Sequence, residues 1–229
     1  MRLSILVFDG FTALDAVGGY EVLQWIPDLE VEFVGKESGI YAADGGRLGL
    51  LAYRSLEEAK GCDILYVPGG PGGFVAQRDP EILGFIRNAH DSSKWTVGIC
   101  NGVEILARAG VLEGVEVTTN YNCREIVADL GATVLPRRYH RDGKIITGAG
   151  VSASIDTGLF LADIIAGREA AEAIQFGIEY YPDPPFGPKV ADEASDRAKC
   201  AVAGFERNFE AVLASRAPPF SAIGISGSS

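Results

Sequence analysis

The sequence predicts a doubly wound α/β fold, in which a mostly parallel sheet carries helices on both faces. The first observation is that short apolar segments, typical of strands buried on both faces, recur along the chain. The second is that segments with apolar residues at helical spacing lie between them, separated by glycine and proline turns. Strands that alternate with helices form right-handed parallel crossovers, and these give a sheet covered on both sides.

The strands are predicted from apolar or alternating segments that are bounded by turn residues. The first is a continuous apolar run at residues 3–8, and others follow at residues 31–36, 62–67, 95–100, 115–120 and 132–136. Glycine turns predict a small hairpin or edge strand at residues 43–53 and a second hairpin at residues 138–148.

Helices are predicted where apolar residues recur at helical spacing. The first covers residues 12–25 and is ended by Pro27, and Pro80 takes an early position in the next helix. The later helices are expected at residues 80–90, 101–109, 122–130, 151–166 and 168–176. Together with the strands, they predict a flavodoxin-like sandwich.

The C-terminal part of the chain differs in composition from the rest. Residues 180–188 form a proline-rich strap that cannot be a helix or a central strand. Beyond it, apolar residues from Ala194 to Val212 mark one face of a helix. We therefore expect an α/β domain at residues 1–188, a C-terminal helix at residues 189–216 packed on that domain or on a dimer partner, and a flexible tail at residues 217–229.

The charge of the chain argues against two classes of partner. The formal net charge is -11, from 31 acidic and 20 basic residues, and the basic residues form no stripe. Nucleic acids and anionic membranes are therefore not expected as partners. No apolar stretch reaches the roughly 20 residues of a membrane helix, and Asp9 interrupts the first apolar run, which is expected to be a strand rather than a signal peptide.

The cysteines predict neither disulfides nor a zinc site. Their spacing is irregular, which fits no disulfide framework and no pair of zinc-binding knuckles; they are Cys62, Cys100, Cys123 and Cys200. A reducing, cytoplasmic location is the expectation that follows. Cys62 and Cys200 are expected to be packing residues.

Cys100 is the strongest candidate for a nucleophile. It lies in "TVGICNG", between two glycines, where a predicted strand gives way to a predicted helix. A sharp turn of this kind exposes the residue at its apex, and the peptide dipoles of the following helix favour a thiolate, so the pKa of Cys100 is expected to fall. The alternative is a buried cysteine at a tight turn.

Two more predicted strands end in candidate site residues. "PGGPGG" follows the strand that ends at Val67, and the N–H groups of Gly70 and Asn101 are expected to form an anion pocket; a plain turn is the alternative. Asp15 follows the first strand, and a nearby thiolate would favour its protonated form. Asp15 could instead simply complement the helix dipole. Glu21 is a second acidic candidate, or else a surface charge.

The blocks "FDGFTALDAVGGYEVL", "ILYVPGG", "GICNGVEILARAGVLEG" and "VTTNYN" resemble the ThiJ/PfpI superfamily of class I glutamine-amidotransferase-like proteins, and within it the isocyanide hydratases. The resemblance also covers "DGKIITGAGVSASIDTGLFLADIIAG" and extends to about Phe186. It implies that Cys100 is the nucleophile, that Asp15 is the acid/base, and that the amides of Gly70 and Asn101 form the anion pocket. It also implies a homodimer with the turn near its interface.

The sequence departs from this family at two positions. Asn101 follows the cysteine where relatives have threonine or alanine, and Asn120 stands where many relatives have the histidine of Thr-Thr-His-Trp. Loss of that histidine removes a Cys-His pair that protease and amidase branches use. Neither His90 nor His140 follows a central strand, and both are expected to face solvent.

The function expected from these residues is the hydration of a small-molecule isocyanide to an N-formamide through a thioimidate on Cys100. Asp15 would move protons, and the pocket would be lined by Gly70, Asn101, Glu21 and Asn120. Neither a metal nor an organic cofactor is expected. A glyoxalase, an amidase and a non-enzymatic sensor of oxidation or ligands are the alternatives.

Overall fold

A computed structural model describes residues 1–59, 61–186 and 190–207. Its strands are β1 Arg2–Leu6, β2 Glu30–Gly35, β3 Gly39–Ala42, β4 Gly49–Ala52, β5 Arg54–Ser55, β6 Ile64–Val67, β7 Trp95–Ile99, β8 Glu116–Val117, β9 Thr133–Val134, β10 Tyr139–Asp142 and β11 Ile145–Gly148. Seven of them form one sheet in the order β10-β11-β7-β6-β1-β2-β5. Every neighbouring pair in it is parallel except β10 and β11, which form the predicted hairpin.

The described residues form eight α-helices. They are α1 Ala13–Leu23, α2 Gly73–Ala76, α3 Pro80–Ser92, α4 Gly102–Arg108, α5 Arg124–Asp129, α6 Ala153–Ala166, α7 Arg168–Gly177 and α8 Asp196–Arg207. Helix α6 contacts α1 and α7, whereas α4 contacts α2, α3 and α5. The predicted flavodoxin-like α/β sandwich is thereby confirmed. The short helix α2, in the glycine-rich segment after β6, was not predicted.

The central strands are apolar because both of their faces are covered. All four residues of β6 are buried, and so are four of the five residues of β1. Tyr66, in β6, is the largest fully buried side chain, and its hydroxyl donates a hydrogen bond to the backbone oxygen of Asp15 at 2.7 Å. The Tyr66 hydroxyl therefore has a hydrogen-bond partner inside the core, and this bond links α1 to the sheet.

Two predicted strands are shorter than expected and lie outside the main sheet. A short strand was expected at residues 115–120 and a strand at residues 132–136, but only the two-residue strands β8 and β9 form there, and they pair with each other outside the main sheet. Strand β8 ends because Thr118 bonds elsewhere. Its N–H donates to Thr147 Oγ1 at 2.9 Å, and its hydroxyl donates to the Arg137 carbonyl at 2.6 Å.

The predicted hairpin near residue 50 is present. Strands β3 and β4 pair antiparallel, with the first strand just before the predicted segment. In the C-terminal segment, Arg124 forms an ion pair with Asp192 at 2.7 Å, and the Lys199 ammonium lies 5.4 Å from the Tyr121 ring centre. The C-terminal helix predicted at residues 189–216 starts only at Asp196, after a 3-10 turn at Ala191–Glu193. Residues 208–229, which include the predicted tail at residues 217–229, lie outside the described residues.

Within residues 1–59, 61–186 and 190–207, no helix has the length and apolar character needed to cross a membrane.

Candidate active site around Cys100

Cys100 lies in a sharp turn between β7 and α4. Its φ is 56°, in the left-handed region that non-glycine residues rarely adopt. The Cys100 N–H donates to the Gly148 oxygen at 2.9 Å, which fixes the turn to the neighbouring strand β11. Helix α4 can begin this close to β6 only because residue 102 is glycine, since a Cβ there would lie 2.4 Å from the Val67 oxygen. The predicted strand-to-helix turn is present.

The site lies at the carboxyl ends of three neighbouring strands. Strands β7, β6 and β1 are adjacent in the sheet, and they are followed by Cys100, Gly70 and Asp15. After β1 the chain forms β2 next to β1, and it later returns to form β6 on the opposite side of β1 within the sheet. Reversal points of this kind leave a crevice between the loops, and this is where open α/β sheets bind ligands.

Asp15 is completely buried beside the thiol. Its Oδ2 accepts a hydrogen bond from the Gly69 N–H at 2.8 Å, whereas Oδ1 has no hydrogen-bond partner among the described residues. Burial, and to a smaller extent the negative charge of Asp44, raise the pKa of Asp15, while hydrogen bonds from Gly69 and Cys100 lower it, so that the resulting pKa is about 7. A carboxyl group with this pKa exchanges its proton near neutral pH.

The environment of Cys100 contradicts the predicted direction of its pKa. The thiol is only 6% exposed, and burial together with the negative charge of Asp15 raises the pKa of Cys100 well above its usual range. Hydrogen bonds from the Asn101 N–H and from Asn120 oppose this shift but are weaker. The expectation of a lowered pKa was wrong because desolvation outweighs the dipole of α4, a helix of seven residues.

Asn120 contacts the sulfur directly. Its Nδ2 donates to Cys100 Sγ at 3.4 Å, and its Oδ1 accepts from the Asn122 N–H at 3.0 Å, which orients the carboxamide. The neighbouring Thr119 hydroxyl donates to the Cys100 carbonyl at 2.8 Å. The segment after β8 therefore holds both the backbone and the side chain of Cys100.

The anion pocket expected at Gly70 and Asn101 is not open. The Asn101 carboxamide makes two hydrogen bonds to the backbone of Gly70, since Oδ1 accepts from its N–H at 2.6 Å and Nδ2 donates to its oxygen at 2.9 Å. The Gly70 N–H is therefore occupied. Only the Asn101 N–H faces the sulfur, so the expectation of two available N–H groups was wrong.

Glu21 does not belong to the site. It is exposed and lies in a groove between α1 and α7, with Trp25 and Ile178. The reason is helix geometry, because six residues at 100° each place Glu21 about 240° around α1 from Asp15. The two histidines also lie elsewhere. His90 bonds to Thr96 at 2.9 Å, and His140 pairs with Glu116 at 3.2 Å.

Sequence reasoning missed three residues that support the site. They are Thr119, Tyr66, which bonds to the backbone of Asp15, and Asp44, whose charge acts on Asp15. Thr119 could have been found from its position next to Asn120. Asp44 could not, because it reaches the site through a non-local hydrogen bond from the Thr12 hydroxyl at 2.9 Å.

A cavity of about 220 Å³ adjoins the site on the side of Asn120. Thr119 and Asn120 line it together with Arg124, Arg137 and Arg138. The described residues contain no group of three or more His, Cys, Asp or Glu side chains arranged to hold a metal ion.

Known proteins resemble this chain in both sequence and fold. The isonitrile hydratase of Pseudomonas putida is 33% identical over 206 residues, which is 86% of this chain and 90% of that protein. The crystal structure of a ThiJ/PfpI family protein from Pseudomonas syringae superposes with a TM-score of 0.85 and 30% identity, over 92% of this chain and 89% of that one. Drosophila melanogaster DJ-1beta, at 18% identity, has a TM-score of 0.72 over 79% of this chain and 98% of that one, which shows likeness of fold alone.

Residues 1–164 match the DJ-1/PfpI family. That range includes Asp15, Cys100 and Asn120, so the match spans all the residues described above as contacting the thiol. This chain belongs to the DJ-1/PfpI family.

Proposed function

We propose that the protein is a cysteine-dependent hydratase that converts a small isocyanide and water into an N-formamide. The observation that carries this proposal is the buried pair of Cys100 and Asp15, in which a carboxyl group of pKa about 7 faces a thiol. The similarity to an isonitrile hydratase supports it, because isonitrile is another name for isocyanide.

The first step uses the proton that the pair holds. Transfer of the thiol proton to Asp15 leaves a thiolate beside a carboxylic acid. The thiolate attacks the terminal carbon of the isocyanide, and Asp15 gives its proton to the same carbon. The product is a thioimidate, in which the Cys100 sulfur is bonded to a carbon that carries one hydrogen and a C=N bond. Asp15 is then a carboxylate.

The second step consumes water. The Asp15 carboxylate takes a proton from a water molecule while the water oxygen bonds to the thioimidate carbon. Asp15 then passes this proton to the nitrogen. The C–S bond then breaks, the hydroxyl proton returns to Asp15, and the C–O bond becomes the carbonyl of the formamide. The thiolate and the protonated carboxyl group are restored.

The test compares the wild type with two cysteine variants. Cys100→Ala removes the nucleophile, so no formamide should form from cyclohexyl isocyanide when the product is followed by mass spectrometry. Cys200→Ala is the matched control, because Cys200 is exposed on α8 and should be dispensable. Equal turnover by the wild type and Cys100→Ala would refute the proposal.

We further propose that the protein acts as a homodimer in a reducing, cytoplasmic environment. Two features support this part of the proposal. The cysteines are thiols, and the spacing of the four shows no disulfide framework. Large apolar side chains are exposed, among them Trp25 at 62% and Phe176 at 72%, and such side chains are typical of association surfaces.

A further inference from the structure

We infer that Asn101 determines the reaction specificity of the site, because its carboxamide closes the pocket that would hold an oxyanion. Asn101 thereby selects against acyl-transfer substrates such as amides and esters. The inference rests on the proposed function for the reaction that Asn101 leaves possible, whereas the closure itself is a feature of the structure.

The closure is made by two hydrogen bonds. Asn101 Oδ1 lies 2.6 Å from the Gly70 nitrogen, and Nδ2 lies 2.9 Å from the Gly70 oxygen, so both polar groups of this residue are taken. All four bonding atoms are buried, because Asn101 is only 8% exposed and these hydrogen bonds lie in the interior. Opening the pair without replacement would leave buried polar groups unsatisfied, which costs about 1–3 kcal/mol for each group.

Glycines shape the space around the carboxamide. A Cβ at Gly69 would lie 2.2 Å from Asn101 Oδ1, and a Cβ at Gly73 would lie 3.1 Å from Nδ2. The side chain therefore fills the hollow between the glycine-rich loop and the turn at Cys100. A substrate oxygen that approached the Gly70 N–H would have to displace it.

The two classes of reaction differ in their need for this N–H. When a thiolate attacks the carbonyl of an ester or amide, negative charge develops on oxygen, and loss of a single hydrogen-bond donor to that oxygen lowers the rate about 100- to 1000-fold. When a thiolate attacks an isocyanide, the charge develops on the terminal carbon. There Asp15, rather than a backbone N–H, supplies the proton. Occupation of the Gly70 N–H therefore hinders acyl transfer and spares hydration.

The experiment measures acylation of Cys100 by p-nitrophenyl acetate. The thiolate attacks the acetyl carbon, p-nitrophenolate leaves, and S-acetylcysteine forms. Alkylation by iodoacetamide, a displacement that creates no oxyanion, is measured on the same cysteine as a reference for access and nucleophilicity. We expect Asn101→Ala to raise the ratio of the acylation rate to the alkylation rate at least tenfold. Mass spectrometry of the Cys100 peptide assigns both reactions to this residue.

Two further variants control the result. Asn101→Asp keeps an oxygen that can accept from the Gly70 N–H, so its ratio should stay at or below the wild-type value. Asn101→Thr has a polar atom one bond closer to the backbone and should raise the ratio, which provides a second measurement if the alanine variant does not fold. If both rates rise by the same factor in Asn101→Ala and Asn101→Thr, or the ratio does not change, the inference is wrong.

This test is separate from that of the proposed function. Wild-type protein that forms no formamide would contradict the hydratase proposal, whereas the ratio of acylation to alkylation would still decide whether Asn101 closes the oxyanion pocket.

Discussion

Asp15 and Cys100 titrate as a coupled pair, because burial raises the pKa of each, the negative charge of Asp15 raises the pKa of Cys100, and the hydrogen bond from the thiol lowers the pKa of Asp15. Below about pH 7 the pair holds two protons, and above it the pair holds one. The state with one proton includes the arrangement that the proposed mechanism uses, a thiolate beside a carboxylic acid.

The pH dependence of the reaction should report this pair. For the wild type, kcat/KM should rise with pH up to about 7, as the first proton leaves, and fall only in alkaline solution when the second is lost. Asp15→Asn should reduce the rate at least tenfold and remove the limb near pH 7. A wild-type profile that is flat between pH 5 and pH 9 would contradict the assignment.

The same carboxyl group should make stability depend on pH. The pKa of Asp15 is raised from an unfolded value of about 3.9 to about 7, so between these values the folded state binds a proton that the unfolded state lacks. The free energy of unfolding should therefore fall, relative to Asp15→Asn, by about 1.4 kcal/mol per unit as pH rises from about 4 to about 7. Below and above this window the difference should be constant.

Urea denaturation of both proteins at a series of pH values measures this difference. The comparison cancels the other carboxylates, including those whose pKa values are lowered by ion pairs. A difference that increased in favour of the wild type with rising pH would have the wrong sign for a buried, protonated Asp15.

At the scale of elements, the site depends on how closely α4 approaches the end of β6. A Cβ at residue 102 would meet the Val67 oxygen at 2.4 Å and the Pro68 carbonyl carbon at 2.7 Å, and neither backbone atom can move away without shifting the loop. The left-handed conformation of Cys100 strains the backbone, and the surrounding contacts must offset the cost of this strain.

Substitution of glycines tests this packing. Gly102→Ala should destabilise the protein by about 1–3 kcal/mol, because it overpacks a site bounded by backbone. Gly84→Ala is the matched control in α3, where an added Cβ has nothing within 4 Å, and it should stabilise the protein by up to about 1 kcal/mol. Thermal denaturation of both variants gives the comparison, and similar melting temperatures would contradict it.

At the scale of the whole molecule, the described residues leave large apolar side chains exposed. Trp25 and Ile178 line a groove of about 520 Å³ between α1 and α7, and Phe176 lies exposed on α7. The chain combines this surface with a net charge of -11, which favours solubility.

The proposed homodimer is tested by light scattering after gel filtration. We expect a mass of twice the 24.3 kDa of one chain at micromolar concentration, because burial of large apolar side chains drives association. A single species of 24.3 kDa over the accessible range of concentrations would overturn this expectation.

The sheet and the place of the site could be read from the sequence because both depend on local patterns. The apolar runs at β1, β6 and β7 predict strands with two covered faces, and "GICNG" predicts a turn at the end of one of them. The short strands β8 and β9 were less predictable. Side-chain hydrogen bonds of Thr118, rather than periodicity, decide where β8 ends.

The sequence by itself determined which residues reach the carboxyl edge of the sheet, since apolar patterning shows that Cys100, Asp15 and the glycine-rich loop each follow a strand. The strand order, which makes these three strands neighbours, came from the structure. Only the tertiary structure decided how these groups act on one another. The direction of the Cys100 pKa follows from burial, the closed Gly70 N–H follows from the Asn101 carboxamide, and the exclusion of Glu21 follows from the rotation of α1. Desolvation and hydrogen-bond pairing depend on neighbours in space, which a linear pattern does not contain.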